Sequence, residues 1–144
     1  MRPQITGGTA PAPSGSHIAD ATAAEVKKRG LGTVGLLGTR FTMEMEFYRK
    51  RLETKHGLKV LVPEAADRAV VHSVIYNELG QGLIRDESRC RYVEIIRDLV
   101  GRGAEGVILG CTEIPLLIKD KDSPVPVFDT TALHASAAVD FALS

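Results

Sequence analysis

Charge of one sign is what this chain most plainly lacks: lysine and arginine number 18 and so do aspartate and glutamate, over 144 residues. No broad basic field is left to draw it to nucleic acid or to an anionic membrane. Cysteine is scarce too. Cys90 and Cys111 are the only two, too few and too far apart for a disulfide scaffold, so free thiols in a reducing cytoplasm are expected. There is no apolar run long enough to span a bilayer, and no charged-then-apolar signal segment at the start. The lone Gly-Leu-Leu-Gly-Thr string at 35–39 lacks the further glycine of a dinucleotide fingerprint and the Gly-Lys-Ser/Thr of a phosphate loop. Aromatic residues make up only 5%, and the aliphatic remainder suits a sheet covered by helices.

What is present alternates. Thr33 to Leu37, Leu58 to Val62, Val107 to Leu109 and Val125 to Phe128 are short, largely apolar runs, the third of them rich in β-branched residues, as expected of buried strands. Between them lie helical patterns over His17 to Arg29, Phe41 to Lys55, Glu64 to Leu79 and Glu87 to Val100, with a last one from Ala132 to Leu143. Val70, Val71, Val74, Ile75 and Leu79 share one helical face, and Tyr92, Val93, Ile95, Ile96, Leu99 and Val100 form another stripe. The fold class this implies is α/β, with about four strands in a mostly parallel sheet flanked by helices on both sides. Residues 1–16, rich in Gly, Pro and Ser, read as a flexible leader before a single lobe over 17–144.

Chemistry concentrates after the third strand, where Gly110 permits a tight turn and Cys111 follows at the strand's carboxyl end. Thr112-Glu113-Ile114-Pro115 then reads as a helix start, with Thr112 as cap, Glu113 on the positive end and Pro115 tolerated in the first turn. Amides there would stabilise both a thiolate on Cys111 and a substrate carboxylate. A free cysteine is more often an inert, buried small hydrophobe, but a Gly-Cys-Thr-Glu turn leaving a buried strand is a poor place merely to fill space. For Cys90, on a charged helix, the inert reading prevails. Thr39 stands at another strand's carboxyl end, where open α/β sheets bind ligands, and capping the next helix explains it equally well. The topology brings the Gly38-Thr39 turn and the Gly110-Cys111-Thr112 turn to one sheet edge, where they can flank one pocket.

Val34-Gly35-Leu36-Leu37-Gly38-Thr39, Ile75-Tyr76-Asn77-Glu78-Leu79, Gly106-Val107-Ile108-Leu109-Gly110-Cys111-Thr112-Glu113-Ile114 and Phe128-Asp129-Thr130-Thr131 together resemble the aspartate/glutamate racemase family, its aspartate-racemase branch in particular. The resemblance implies a racemase of two similar α/β lobes, needing no cofactor and no metal, with one catalytic cysteine from each lobe on opposite faces of an amino acid. By that resemblance Cys111 is the second lobe's cysteine, and Thr39, Thr112 and Gly38 bind the substrate carboxylate. Glu113 stands where glutamate racemases commonly have histidine, which favours the aspartate branch and an acidic amino acid. Arg85 is a candidate for a side-chain carboxylate, although a solvated surface arginine fits as well. Tyr76, Glu78 and His134 are candidate pocket residues, with core hydrogen bonding and capping as the competing explanation.

The match runs from about His17 to Leu143, and no first-lobe cysteine motif is found. A truncated family member or one half of a split enzyme is therefore expected, whose activity alone is in doubt and whose partner is a separate first lobe or a second copy of itself. Residues 125–144 would then pack on that first lobe, and the face made by Leu133, Ala137, Val139 and Phe141 would be left open to self-association. Two other readings stand beside racemisation. One is a single-thiol decarboxylase of the same superfamily, and the other is a non-catalytic carboxylate-binding or dimerising remnant.

Overall fold

A computed structural model of the chain describes residues 14–44 and 46–130. Four strands form one sheet: β1 (Thr33–Leu37), β2 (Lys59–Leu61), β3 (Val107–Leu109) and β4 (Val127–Asp129), in the order β2-β1-β3-β4. All neighbours run parallel, with Val34 opposite Val60, Leu36 opposite Ile108 and Ile108 opposite Phe128. The expected four-stranded parallel α/β sheet is the one found.

Period-two alternation along the strands divides the core between the two sheet faces. Leu37, Val107 and Leu109 face one way and pack with α4 (Ala65–Asn77) and α5 (Asp86–Gly101) through Val71, Val74, Ile75, Tyr92, Ile95, Ile96 and Leu99. Val34, Leu36, Ile108 and Phe128 face the other way, onto Ala19, Ala23 and Val26 of α1 (Ser14–Lys28) and onto Leu52. Strands apolar on both sides are thus covered on both sides, and both helical stripes read from the sequence turn inward, buried except for Val70, Val93 and Val100, which pack partly buried against the core. Tyr92 is fully buried and its hydroxyl donates to the Val71 carbonyl (2.7 Å), which locks α5 to α4.

Several boundaries differ from the sequence reading. Helix α1 begins at Ser14, inside the expected leader, while residues 1–13 and the expected helix 132–143 lie outside the described residues. Over Phe41 to Lys55 the described residues are helical as expected, as α2 (Arg40–Glu44) and α3 (Glu46–Lys50) on either side of residue 45, which lies outside the described residues; what differs is a π-helical turn at Arg51–Lys55. The wider turn buries Leu52 while Arg51, Lys55 and His56 all reach one carboxylate, Asp20 on α1, at 3.0, 3.3 and 2.9 Å. Tertiary contacts with α1 outweigh local propensity here.

The chain runs from β1 outward to β2 over one face, then back across the other face to β3 on β1's far side. This reversal opens a crevice beyond the carboxyl ends of β1 and β3, where α/β sheets take ligands. Among the described residues, no helix is long and apolar enough to cross a membrane.

Candidate active site

The two strand ends at this crevice carry Gly38-Thr39 and Gly110-Cys111-Thr112. Gly110 has a reason to be glycine: its N–H donates to the Leu37 carbonyl (2.7 Å), and an added Cβ would stand 3.0 Å from that same oxygen. Backbone cannot yield as a side chain can, so only glycine lets the β3 turn close onto β1. A Cβ on Gly38 or Gly110 would also crowd Thr42 (3.0 and 3.1 Å), the residue over which the two turns meet. At the other side, the buried Thr130 hydroxyl donates to the Leu109 carbonyl (3.0 Å), fixing the last peptide of β3 before the turn.

Thr39 and Cys111 consequently share a cavity of about 300 Å³, with Ile75 and Tyr76 of α4, Gln81 and Glu113 as further walls. The cysteine is neither walled into the core nor far from the threonine: it is half-buried and open to that space. Thr39 also caps α2, its hydroxyl oxygen accepting the Thr42 N–H (3.4 Å) and sharing a hydrogen bond with the Thr42 hydroxyl (3.3 Å). Both explanations of Thr39 hold at once.

The thiol's electrostatics differ from expectation. Cys111 donates to Glu113 Oε1 (3.0 Å) and the Thr112 hydroxyl donates to Glu113 Oε2 (2.8 Å), so one carboxylate holds both side chains. Burial and the Glu113 carboxylate together push the Cys111 thiol up to about 11, although the Glu113 and Ile114 amides pull the other way. Hydrogen bonds from Cys111 and then Thr112 hold the Glu113 carboxyl below its ordinary value. The expected anion-ready thiol is therefore a protonated one. The helix meant to stabilise it, α6 (Ile114–Leu117), is a single turn; Thr112 does not cap it, and Glu113 occupies the cap position without a side-chain capping bond. So short a helix has little dipole to offer.

Arg85 does not reach this cavity. It is exposed, pairs with Glu87 (2.6 Å), and borders a separate cavity of about 520 Å³ between α4 and α5. Glu78 faces that second cavity as well, accepting the Ser88 hydroxyl at 2.5 Å. Of the other candidates, Tyr76 and Glu113 line the thiol's cavity, Thr112 is exposed and does not line it, and His134 lies outside the described residues. Cys90 lies on the expected charged helix, α5, and is exposed there. Gln81 is a cavity wall that the sequence reading did not single out, and Ile75, read there as part of a buried helical face, is another wall. For Gln81 a signal existed: a polar side chain set between Gly80 and Gly82, in the turn that ends α4. Among the described residues, no group of three or more His, Cys, Asp or Glu is placed to hold a metal.

Comparison with known proteins agrees with this architecture. The family model for Asp/Glu/hydantoin racemases matches residues 15–138. The fold superposes on a candidate Asp/Glu racemase from Yersinia pestis with a TM-score of 0.85 and 54% identity, over 88% of this chain and 55% of that one. It superposes on an aspartate racemase homologue from Pyrococcus horikoshii OT3 with a TM-score of 0.81 and 41% identity, over the same shares of the two chains. A glutamate racemase from Streptococcus agalactiae is 30% identical over 100 residues, 69% of this chain and 36% of the relative. The chain thus spans about half the length of these solved structures and about a third of that glutamate racemase. On the family model, the shared sheet and the similarity of sequence along it, the chain belongs to the Asp/Glu/hydantoin racemase family.

Proposed function

We propose that this lobe takes part in racemisation of an amino acid by proton transfer at the α-carbon, without a cofactor, and that Cys111 is one of the two proton carriers. The observation that carries the reading is the shared cavity: a half-buried thiol and a threonine hydroxyl, delivered by two different strand ends, open onto the same space.

The α-hydrogen of an amino acid is weakly acidic, so its removal needs stabilisation of charge that builds up on the adjoining carboxylate. Hydroxyl and amide donors of the Gly38-Thr39 and Cys111-Thr112 turns supply that. A base on one face takes the proton, the C–H electron pair passes into the carboxylate, and Cys111 gives its S–H proton to the opposite face, leaving a thiolate. In the reverse turnover that thiolate is the base. A thiol held protonated suits the donor's part. The carrier on the opposite face comes, in this reading, from a complementary lobe. Free cysteines fit a reducing compartment, and we place the protein in the cytoplasm.

The test is α-hydrogen exchange of L- and D-amino acids in deuterated water, alone and with a first-lobe chain of a two-lobe relative. Wild type exchanges and Cys111→Ala does not; equal exchange by both removes Cys111 from the mechanism. The protonated thiol also favours a second reading, one-sided protonation after decarboxylation, which turnover of a substituted malonate by this chain alone would reveal. Protection of Cys111 by amino acids with no exchange in any combination would leave a carboxylate-binding lobe.

A further inference from the structure

His72 lines neither cavity, yet it touches Tyr76, a wall of the one that holds Cys111, and the amide of Arg40, the residue after another wall, Thr39. Its Nδ1 accepts the N–H of Arg40 at 2.9 Å. Arg40 is the first residue of α2 and follows Thr39 directly, so this amide is one of those a helix start leaves without an internal partner. One turn along α4, the Tyr76 ring lies 4.6 Å from the imidazole, tilted by 41°. A single side chain therefore sets both the backbone beside Thr39 and the face that Tyr76 presents.

The bond also fixes the chemistry of the ring. Only an Nδ1 lone pair can accept an amide hydrogen, so this bond needs Nδ1 free of a proton. A second tie joins the same two helices: Arg68 of α4 pairs with Glu44 at the far end of α2 (3.2 Å), and Glu44 also meets Arg40 (4.0 Å). Docking of α2 on α4 consequently does not depend on His72. What His72 alone supplies is a tie at the end of α2 where Thr39 faces the thiol.

We propose that His72 is a positioning residue for this site, holding Thr39 through the Arg40 amide and Tyr76 through ring contact, so that the cavity around Cys111 keeps its shape. Its part in turnover rests on the racemase reading; its part in shaping the cavity does not.

The experiment compares three variants in a Cys90→Ser background, so that Cys111 is the only thiol. His72→Phe keeps a ring against Tyr76 and removes the acceptor. His72→Asn returns an acceptor oxygen near the Nδ1 position. Glu44→Gln weakens the other tie. Two quantities are read: the rate of Cys111 alkylation by iodoacetamide, and α-hydrogen exchange resolved into kcat and KM. In His72→Phe, alkylation rises several-fold and kcat/KM falls about tenfold, mainly through KM, because a misplaced Thr39 orients the substrate carboxylate poorly. His72→Asn recovers most of both. Glu44→Gln lowers the melting temperature but changes neither. The proposal is overturned if His72→Phe matches its parent in alkylation, if His72→Asn restores nothing, or if Glu44→Gln reproduces the effect of His72→Phe. Should no amino acid exchange with any of these proteins, the racemase reading falls, and alkylation still decides the role of His72.

Discussion

Replacing Glu113 by glutamine should make the Cys111 thiol easier to ionise, by an amount the geometry sets. In the wild type the thiol is pushed up to about 11, against an ordinary cysteine near 8.5. At pH 8 that leaves about one molecule in a thousand as thiolate, where an unperturbed thiol would have about a quarter. Burial is the largest cause and survives the substitution, whereas the carboxylate 3.0 Å from the sulfur does not. Two unit charges at that separation interact by about 1.4 kcal/mol even with the screening of bulk water, which is about one pKa unit. Removing a negative neighbour favours the thiolate, so the sign is downward, to about 10. The assay is the pH dependence of iodoacetamide alkylation in a Cys90→Ser background, because an uncharged reagent is not steered by the altered charge. Alkylation at pH 8 should rise about tenfold, with its midpoint still above that of a free thiol. A midpoint unchanged or raised in Glu113→Gln would refute the role given to the carboxylate. A wild-type midpoint near 8.5 would refute the dominance of burial.

Other expectations follow from particular contacts. An alanine Cβ at Gly106 would stand 2.8 Å from the Phe128 ring and 3.3 Å from the Pro126 carbonyl oxygen. Gly106→Ala should therefore cost about 1–3 kcal/mol in denaturant unfolding, and an unchanged midpoint would mean that β3 and β4 are less closely packed. Arg51, then His56 and Lys55, hold the Asp20 carboxyl below the usual carboxylate range. A carboxyl lowered on folding adds stability that is present above the unfolded value near 3.9 and lost as pH falls below it. With solvent screening of these partly exposed groups, Asp20→Asn should cost about 1 kcal/mol at pH 7, and the difference should shrink on titration below pH about 4. Thr39→Val should lose the α2 cap, about 1 kcal/mol by thermal melting, and raise KM in α-hydrogen exchange, while Thr39→Ser should do neither. A valine variant that kept its KM would remove Thr39 from substrate binding.

Much of the architecture is legible without coordinates because its determinants are local. Thr33 to Leu37 and Val107 to Leu109 are apolar at every position but a glycine or a threonine, and a strand covered on both faces requires that. The stripes of α4 and α5 recur at helical spacing, and they bury as the spacing demands. Gly110 before Cys111 marks the turn that carries the thiol, and the glycine is needed because the Leu37 carbonyl crowds it. The π-helical turn at Arg51–Lys55 follows instead from α1, whose Asp20 gathers Arg51, Lys55 and His56 from across the fold. No local pattern announces that.

The order of residues alone determined the alternation of strands and helices, the parallel sheet, and the delivery of Thr39 and Cys111 to the same edge. These depend on periodicity and on connections too short to permit much else. Only the folded chain decided the protonation of the thiol, the absence of Arg85 from its cavity, and the contacts of His72 with Tyr76 and with the amide next to Thr39. Each of those depends on distances between residues far apart in sequence: how deeply a sulfur is buried, where a carboxylate turns, and which amide an imidazole meets. Such distances are set when α2, α4 and the two strand-end turns pack together.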